Sequence, residues 1–309
     1  MKKLLLIVPA MYLIGCVATP PSSPLTDVFT NKWDGSLPKL DDPQLQSLQD
    51  DLQVEFKQYM ANPNTYFSRP NEVNTWPCTL SPSQLNKLTG TVDSDNDPVM
   101  KRRLVNDSRS NGGLKIKITY SNQQTIPVKA SCKNGLLDGP VEFWQEVTMH
   151  NDSPMTKIAD YLTTQEIQNH LIKRIWFNAQ KGNSIGPIVV STKALDSTIT
   201  YSDPTLNAQA KLRPKPTSSV SFSKSSGEEP SSSVSISHVV VNGDTTVNVT
   251  TERLFGDHRR EETTYWNNQM LYRKLYKNDK LHGVTTLTGQ PNECWEEGEK
   301  VLTASCVMN

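Results

Sequence analysis

The chain predicts an α+β fold, mostly β, laid out as an antiparallel β-meander with one to three short helices. Three observations carry that expectation. Two-residue turn pairs recur in the last third at Gly256-Asp257, Asn267-Asn268, Asn278-Asp279 and Gly289-Gln290, each 11 residues after the one before. Runs of β-branched and aromatic residues such as EETTYW and MLYRKLY fill the intervals. Apolar residues at helical spacing are confined to a few short stretches. Asn, Asp and Gly supply the left-handed backbone that tight hairpins demand, and even spacing favours hairpins over helical crossovers. Asn242-Gly243 extends the pattern upstream.

The first helix has the clearest signal. Asp42 reads as its N-cap and Pro43 as its first-turn residue. Leu45, Leu48, Leu52, Phe56 and Tyr59 then fall on one face at spacings of three and four. A short second helix is expected from Ser81-Pro82 to Gly90. Thr163 to Glu166 forms a capping-box pattern ahead of Ile167, Leu171, Ile172 and Ile175, with Gly182 as a C-terminal stop, and predicts a third. Ile172 to Phe177 also fits a strand.

At the N-terminus, Lys2 and Lys3 precede an apolar run from Leu4 to Ile14 that is too short to span a bilayer as a stable helix. Leu13-Ile14-Gly15-Cys16 resembles the lipobox of bacterial lipoproteins. That resemblance implies cleavage before Cys16, lipid on its sulfur and acylation of its new amino group. One acyl chain holds only marginally, and the two or three that the family carries hold persistently. Val17 stands where the inner-membrane retention signal has Asp, which favours the outer membrane. Residues 1–15 are therefore expected to be a signal peptide. Residues 16–40, rich in Pro, Ser and Thr, are expected to be a lipidated tether.

Residues 41–212 read as a helix followed by a β-rich region. The serine-dominated stretch 213–237 reads as a linker or loop. In it Val220, Phe222, Val234 and Ile236 alternate with serines, so its flanks fit strands, while Lys224 to Ser233 reads as the mobile centre. Residues 238–309 form the meander.

Charge excludes one class of partner. The 32 basic residues less the two leader lysines leave 30 against 32 acidic, and a near-neutral surface lacks the basic stripe that nucleic acid requires. Four cysteines remain beyond Cys16, namely Cys78, Cys132, Cys294 and Cys306. An even count in an exported chain implies two disulfides. Three connectivities are open, and pairing of sequence neighbours, 78 with 132 and 294 with 306, is preferred. No C-x-x-C pair suggests redox or zinc chemistry.

Three segments share a frame: GLLDGP from Gly135, GNSIGP from Gly182 and DKLHGV from Asp279. With their lead-ins they resemble the bacterial variant of the MORN repeat, in which Asn-Gly turns the hairpin, Leu packs inward and a later Gly lets backbones approach. Asn134, Gly135, Leu137, Gly139 and Trp144 match the first copy; Tyr276, Asn278, Leu281 and Gly283 match the third. In the second only Phe177, Gly182, Gly186 and Pro187 fit. Trp295-Glu296-Glu297-Gly298 reads as a degenerate fourth turn. The frame bears on GNSIG, which also fits the G-x-S-x-G nucleophile elbow around Ser184. An elbow needs a strand before it and a helix after it. Here Pro187-Ile188-Val189-Val190 follows and reads as a strand, so the glycines are assigned to turns.

Asp93-Ser94-Asp95-Asn96-Asp97 is similar to the start of an EF-hand calcium loop, but Pro98 and Leu104 stand where Gly and Glu are needed, so it reads as a solvated acidic turn. His150, His170, His238, His258 and His282 show no metal-ligand spacing, and no cofactor or metal is expected. Asp257 to Glu262 is a dense charge run that reads as a solvated hairpin end, with a partner-binding patch as the alternative. The sequence as a whole predicts a lipid-anchored envelope protein of the outer membrane, facing the periplasm. Its expected role is to bind or scaffold another envelope or secreted protein without catalysis, as an immunity or accessory protein would. The competing readings are a hydrolase acting on lipid or peptidoglycan, and a purely structural envelope component.

Overall fold

In the computed structural model, residues 31–71, 77–78, 117–158, 161–201, 216–227, 231–278 and 280–302 are described. Among them is one helix, α1 (Pro43–Ala61). The strands are β1 (Lys117–Lys129), β2 (Cys132–Lys133), β3 (Leu136–Leu137), β4 (Gly139–Ile158), β5 (Tyr161–Gln180), β6 (Asn183–Tyr201), β7 (Ser218–Ser225), β8 (Ser232–Val241), β9 (Asp244–Leu254), β10 (Arg259–Trp266), β11 (Gln269–Lys277), β12 (Lys280–Leu281), β13 (Gly283–Leu287), β14 (Glu293–Glu296) and β15 (Glu299–Val301). The fold is mostly β and antiparallel, with strands following one another as a meander. The chain divides into two compact units. The first holds residues 64–185 and 190–219; the second holds 31–63, 186–189 and 220–302.

The first unit orders its strands β1-β4-β5-β6. Burial along β5 alternates: Leu171, Lys173, Ile175, Phe177 and Ala179 are buried, while Ile172, Arg174 and Trp176 are half-buried. This corrects the expected third helix. Apolar residues four apart satisfy both a 3.6-residue and a two-residue period, and the long pairing with β4, Val141 opposite Phe177 and Phe143 opposite Ile175, selects the strand. The other sheet face is capped by Tyr66 and Phe67, whose rings meet edge to face at 4.9 Å. Trp144 Nε1 donates to Phe67 O at 3.0 Å. Arg174 lies 4.5 Å from the centre of the Tyr66 ring and pairs with Glu142 at 2.7 Å. Cys78 and Cys132 form a disulfide with Cα atoms 5.8 Å apart.

The second unit orders its strands β7-β8-β9-β10-β11-β13-β14-β15, with β12 on β11. Helix α1 packs against β8. Asp42 Oδ1 accepts from the backbone N–H groups of Gln44 at 2.9 Å and Leu45 at 3.0 Å, the N-cap expected from the sequence. Leu45, Leu48, Leu52, Phe56 and Tyr59 are all buried, Leu52 completely. Phe56 and Tyr59 each pack on Phe222 of β7 with centroids 5.6 Å apart. The loop assigned to Lys224–Ser233 is shorter than expected. Lys224 and Ser225 belong to β7, Ser232 and Ser233 to β8, and all four are buried. Serine suits this position because its small side chain lets the helix lie close, and Lys224 is tied to Asp51 of α1. Residues 31–40, assigned to the tether, are likewise folded onto this unit: Gln49 Nε2 donates to Pro38 O at 2.7 Å, and Leu40 N–H to Gln46 Oε1 at 2.8 Å.

One hairpin geometry occurs in both units. Cys132 pairs with Leu137 and Lys133 with Leu136 around Asn134-Gly135. Tyr276 pairs with Leu281 and Lys277 with Lys280 around Asn278. The Asp138 N–H donates to Ser131 O at 3.0 Å, and the His282 N–H to Leu275 O at 2.9 Å. A glycine with positive φ follows each, Gly139 at 97° and Gly283 at 89°. The next turn but one then closes back on the hairpin leucine: Gly182 N–H donates to Leu137 O at 2.8 Å and Gly298 N–H to Leu281 O at 2.9 Å. Two separated segments that share Asn, Leu and Gly at matching places, Asn134, Leu137 and Gly139 with Asn278, Leu281 and Gly283, thus make the same set of backbone bonds.

Candidate functional surface

The candidate surface is one face of β9, β10 and β11. Alternation along β10 puts Arg260, Glu262 and Thr264 on that face. Opposite them on β9 stand Leu254, Glu252 and Thr250; on β11 stand Tyr276, Lys274 and Tyr272. A shift in register between Thr264 and Tyr265 sets this pairing. Without that bulge the two-residue turn at Asn267-Asn268 would place Glu262 opposite Arg273 rather than Lys274.

The register brings Glu252 and Glu262 directly across from each other, an arrangement of like charges that is unfavourable alone. Each carboxylate is separately compensated. Arg260 Nη1 donates to Glu252 Oε1 at 3.0 Å, and the Tyr272 hydroxyl donates to Glu262 Oε1 at 2.7 Å. The Arg260 guanidinium carbon also sits 4.1 Å from the centre of the Tyr276 ring, and Lys274 Nζ 4.3 Å from that of Tyr272. Burial works against the charge on Arg260, but the Glu252 carboxylate, together with Tyr276 and Glu262, outweighs it and the pKa is raised. Burial, reinforced by the charge of Glu262, pushes the Tyr272 phenol well above its ordinary value, so it stays a donor. Thr250 and Thr264 share a hydrogen bond at 3.0 Å beside this network. The result is a partly exposed lattice of Arg, Tyr and Glu whose side chains hold one another in place.

The charge run 257–262 is divided by this geometry. Arg260 and Glu262 join the lattice. Arg259 pairs with Asp257 at the exposed hairpin end at 2.6 Å, and Glu261 faces the other side with Arg273 at 2.9 Å. His258 takes the left-handed position of that turn, with φ 63°. His170 pairs with Glu146 at 2.7 Å, and His238 is buried beside α1.

The turn residues Asn134, Gly135, Gly182 and Asn278 have φ of 53°, 74°, 76° and 51°; Gly186, expected at a turn, lies inside β6 with φ 64°. The turn before GNSIG is Lys181-Gly182, and Ser184 lies within β6, so a strand follows the motif and the strand–turn–helix of a nucleophile elbow is not formed there. Cys294 is disulfide-bonded. Cys306, Cys16, the segment 81–90 and the acidic run 93–97 lie outside the described residues. Among the described residues no group of His, Cys, Asp or Glu is arranged to hold a metal ion, and no helix is long and apolar enough to cross a membrane.

Two features have little sequence signature. Lys173 and Gln145 face each other across β4 and β5 inside the first unit, both buried. Neither amide atom of Gln145 has a hydrogen-bond partner. Burial pushes the Lys173 pKa down to about 8. Two polar residues at inward positions of an alternating strand are the only hint. Comparison with protein-family models, with curated proteins and with solved structures finds no match.

Proposed function

We propose that the chain is an outer-membrane-anchored lipoprotein of the periplasm whose folded part is a non-enzymatic protein-binding module. The observation that carries the binding role is the lattice of Arg260, Tyr276, Tyr272 and Glu262 on a partly exposed sheet face. Tyrosine and arginine dominate the binding energy of protein interfaces. Side chains already fixed by their neighbours lose little conformational entropy when a partner docks. The anchor rests on the LIGC sequence at Cys16 and its likeness to the lipobox. The paired hairpin geometry supports the likeness to bacterial MORN repeats, whose regular turns build broad sheet faces.

Two experiments test the parts separately. For the anchor, Cys16→Ser should abolish incorporation of labelled palmitate and move the protein from the membrane to the soluble fraction; unchanged fractionation would overturn it. For the module, the detergent-solubilised protein should retain a discrete envelope or secreted protein, and the paired change Lys274→Glu with Tyr276→Ser should release it. Equal retention by a variant with wild-type circular dichroism would sink the assignment of this face.

A further inference from the structure

We propose that residues 31–40 form a strap that is seated on the second unit at neutral pH and opens on mild acidification, when His238 takes up a proton. The strap has no regular secondary structure, and most of its residues are exposed. Its first anchorage is the β10–β11 turn. Asn31 Nδ2 donates to Asn267 O at 3.1 Å, and Asn267 Nδ2 donates back to Asn31 O at 2.5 Å. Asn268 Nδ2 donates to Asp34 Oδ1 at 2.9 Å and also reaches Ser36 Oγ. Its last anchorage is α1, through Pro38 to Gln49 and Leu40 to Gln46. Between the two lies Trp33, whose ring meets Phe56 at 6.0 Å and His238 at 6.2 Å, both edge to face.

His238 is the point on which seating turns. It is buried on β8 opposite Val247. Phe56 and Tyr59 of α1 pack against it at 6.0 and 5.7 Å, and Trp33 of the strap at 6.2 Å. Its Nδ1 is buried with no hydrogen-bond partner. A neutral ring with its proton on Nε2 meets that condition. A protonated ring would place an N–H where no acceptor stands and lose its hydration, a larger penalty than the attraction of aromatic faces for a cation offsets. Of the three described rings packed against it, Trp33, Phe56 and Tyr59, Tyr59 alone carries an ionisable group. The packed elements also carry Lys32, Lys39, Glu55 and Lys57; of their other charges, Asp34 is bonded to Ser36 and Asn268, Asp50 to Gln46, Asp51 to Lys224 and Asp42 to Arg253.

Burial lowers the His238 pKa. The folded, seated form therefore binds the proton less readily than an exposed imidazole. The stability it contributes is complete above the ordinary histidine value of about 6.5 and declines as pH falls below it. Lifting Trp33 is the least disruptive way to bring water to the ring, because the other walls belong to α1 and the sheet. If Cys16 is the anchor, as proposed above, release would add at most roughly 33–36 Å to the reach of the tether, at ~3.3–3.6 Å per fully extended residue.

Hydrogen exchange on the full chain, read by mass spectrometry and corrected for intrinsic rates, tests the strap whether or not Cys16 carries lipid. Protection of the 31–40 amides should fall roughly tenfold or more between about pH 7.5 and about pH 5, while α1 keeps its own. His238→Phe should make strap protection independent of pH, and Trp33→Ala should remove it at both values. A flat wild-type profile, or the same fall in His238→Phe, would overturn the proposal. So would loss of α1 protection together with the strap, and this last comparison needs no variant to fold.

Discussion

Replacing Arg260 by alanine is the sharpest probe of the β9–β11 face. The guanidinium is 3.0 Å from Glu252, and the two side chains are only 24% and 23% exposed. A hydrogen bond to a charged group in such a place contributes roughly 1.5–3 kcal/mol, and the contact with the Tyr276 ring a further ~0.5–2 kcal/mol. These terms share one side chain and do not add fully. Truncation also leaves Glu252 facing Glu262 across the ladder without its counter-charge. The expected loss is about 2–4 kcal/mol, near the lower part of the range for breaking a buried ion pair because water still reaches a quarter of the site. Urea unfolding followed by tryptophan fluorescence would read it as a drop in midpoint at constant slope. Glu252→Gln on the Arg260→Ala background should recover part of the loss, since the facing carboxylates are then no longer both charged. Arg259→Ala, whose partner Asp257 is exposed, should move the midpoint little. A change under about 0.5 kcal/mol for Arg260→Ala, or no recovery with Glu252→Gln, would refute the view that these side chains hold one another.

The other expectations concern the scaffold. Gly139→Ala should destabilise the first unit by about 1–3 kcal/mol, because φ is 97° and the new Cβ would come 2.8 Å from Ser131 Oγ; Gly283→Ala should act similarly in the second unit, with Leu275 Cδ1 at 3.2 Å, and thermal melts would rank both above Gly135→Ala, which meets no neighbour within 4 Å. Removing the bridge by Cys78→Ala with Cys132→Ala should cost about 4 kcal/mol on the chain-entropy account for a separation of 54 residues, seen as a lower denaturation midpoint that reducing agent does not lower further through this pair. Burial of Lys173 means that the folded form releases its proton first, so stability should rise with pH from about 8 toward the ordinary value of 10.5. The difference between wild type and Lys173→Met across that range isolates the effect, and parallel curves would contradict it.

The parts of this fold that are local were readable in the sequence. Asp42-Pro43 with its apolar face specifies α1 without help from distant residues. The Asn and Gly pairs specify turns because few other residues tolerate positive φ. What depends on register was not readable. Leu171 and Ile175 satisfy two periodicities, and only the partner strand β4 decides between them. The bulge after Thr264 has no residue signature, yet it determines which side chains of β11 meet Glu262. The strap shows the same limit: the Pro, Ser and Thr of residues 16–40 as a whole describe a flexible tether, while Trp33 and Leu40 supply contacts that become evident only when α1 and β8 are side by side.

The repeated hairpin gives a physical account of why glycines recur in patterns that also fit a catalytic motif. In the first copy the left-handed pair Asn134-Gly135 reverses the chain, and in the other Asn278 takes the same left-handed place; in both, the carbonyl of the hairpin leucine is paired from outside the hairpin, and the glycine that follows has positive φ. The amide of a later turn then satisfies that leucine carbonyl, from Gly182 in one case and Gly298 in the other. A backbone acceptor left unpaired at such a site would be costly, so the position of the later turn is constrained by the earlier hairpin. The turn is therefore placed by Leu137 and glycine is favoured at 182 by its φ of 76°, and Ser184 takes its place two residues into the strand that this closure launches. A serine chosen for attack would instead need the strain concentrated at its own backbone. Here the positive φ values fall on Lys181 and Gly182, which make the turn, and on Gly186 inside β6, and not on Ser184, so the strain expected at a nucleophile's own backbone is not at this serine.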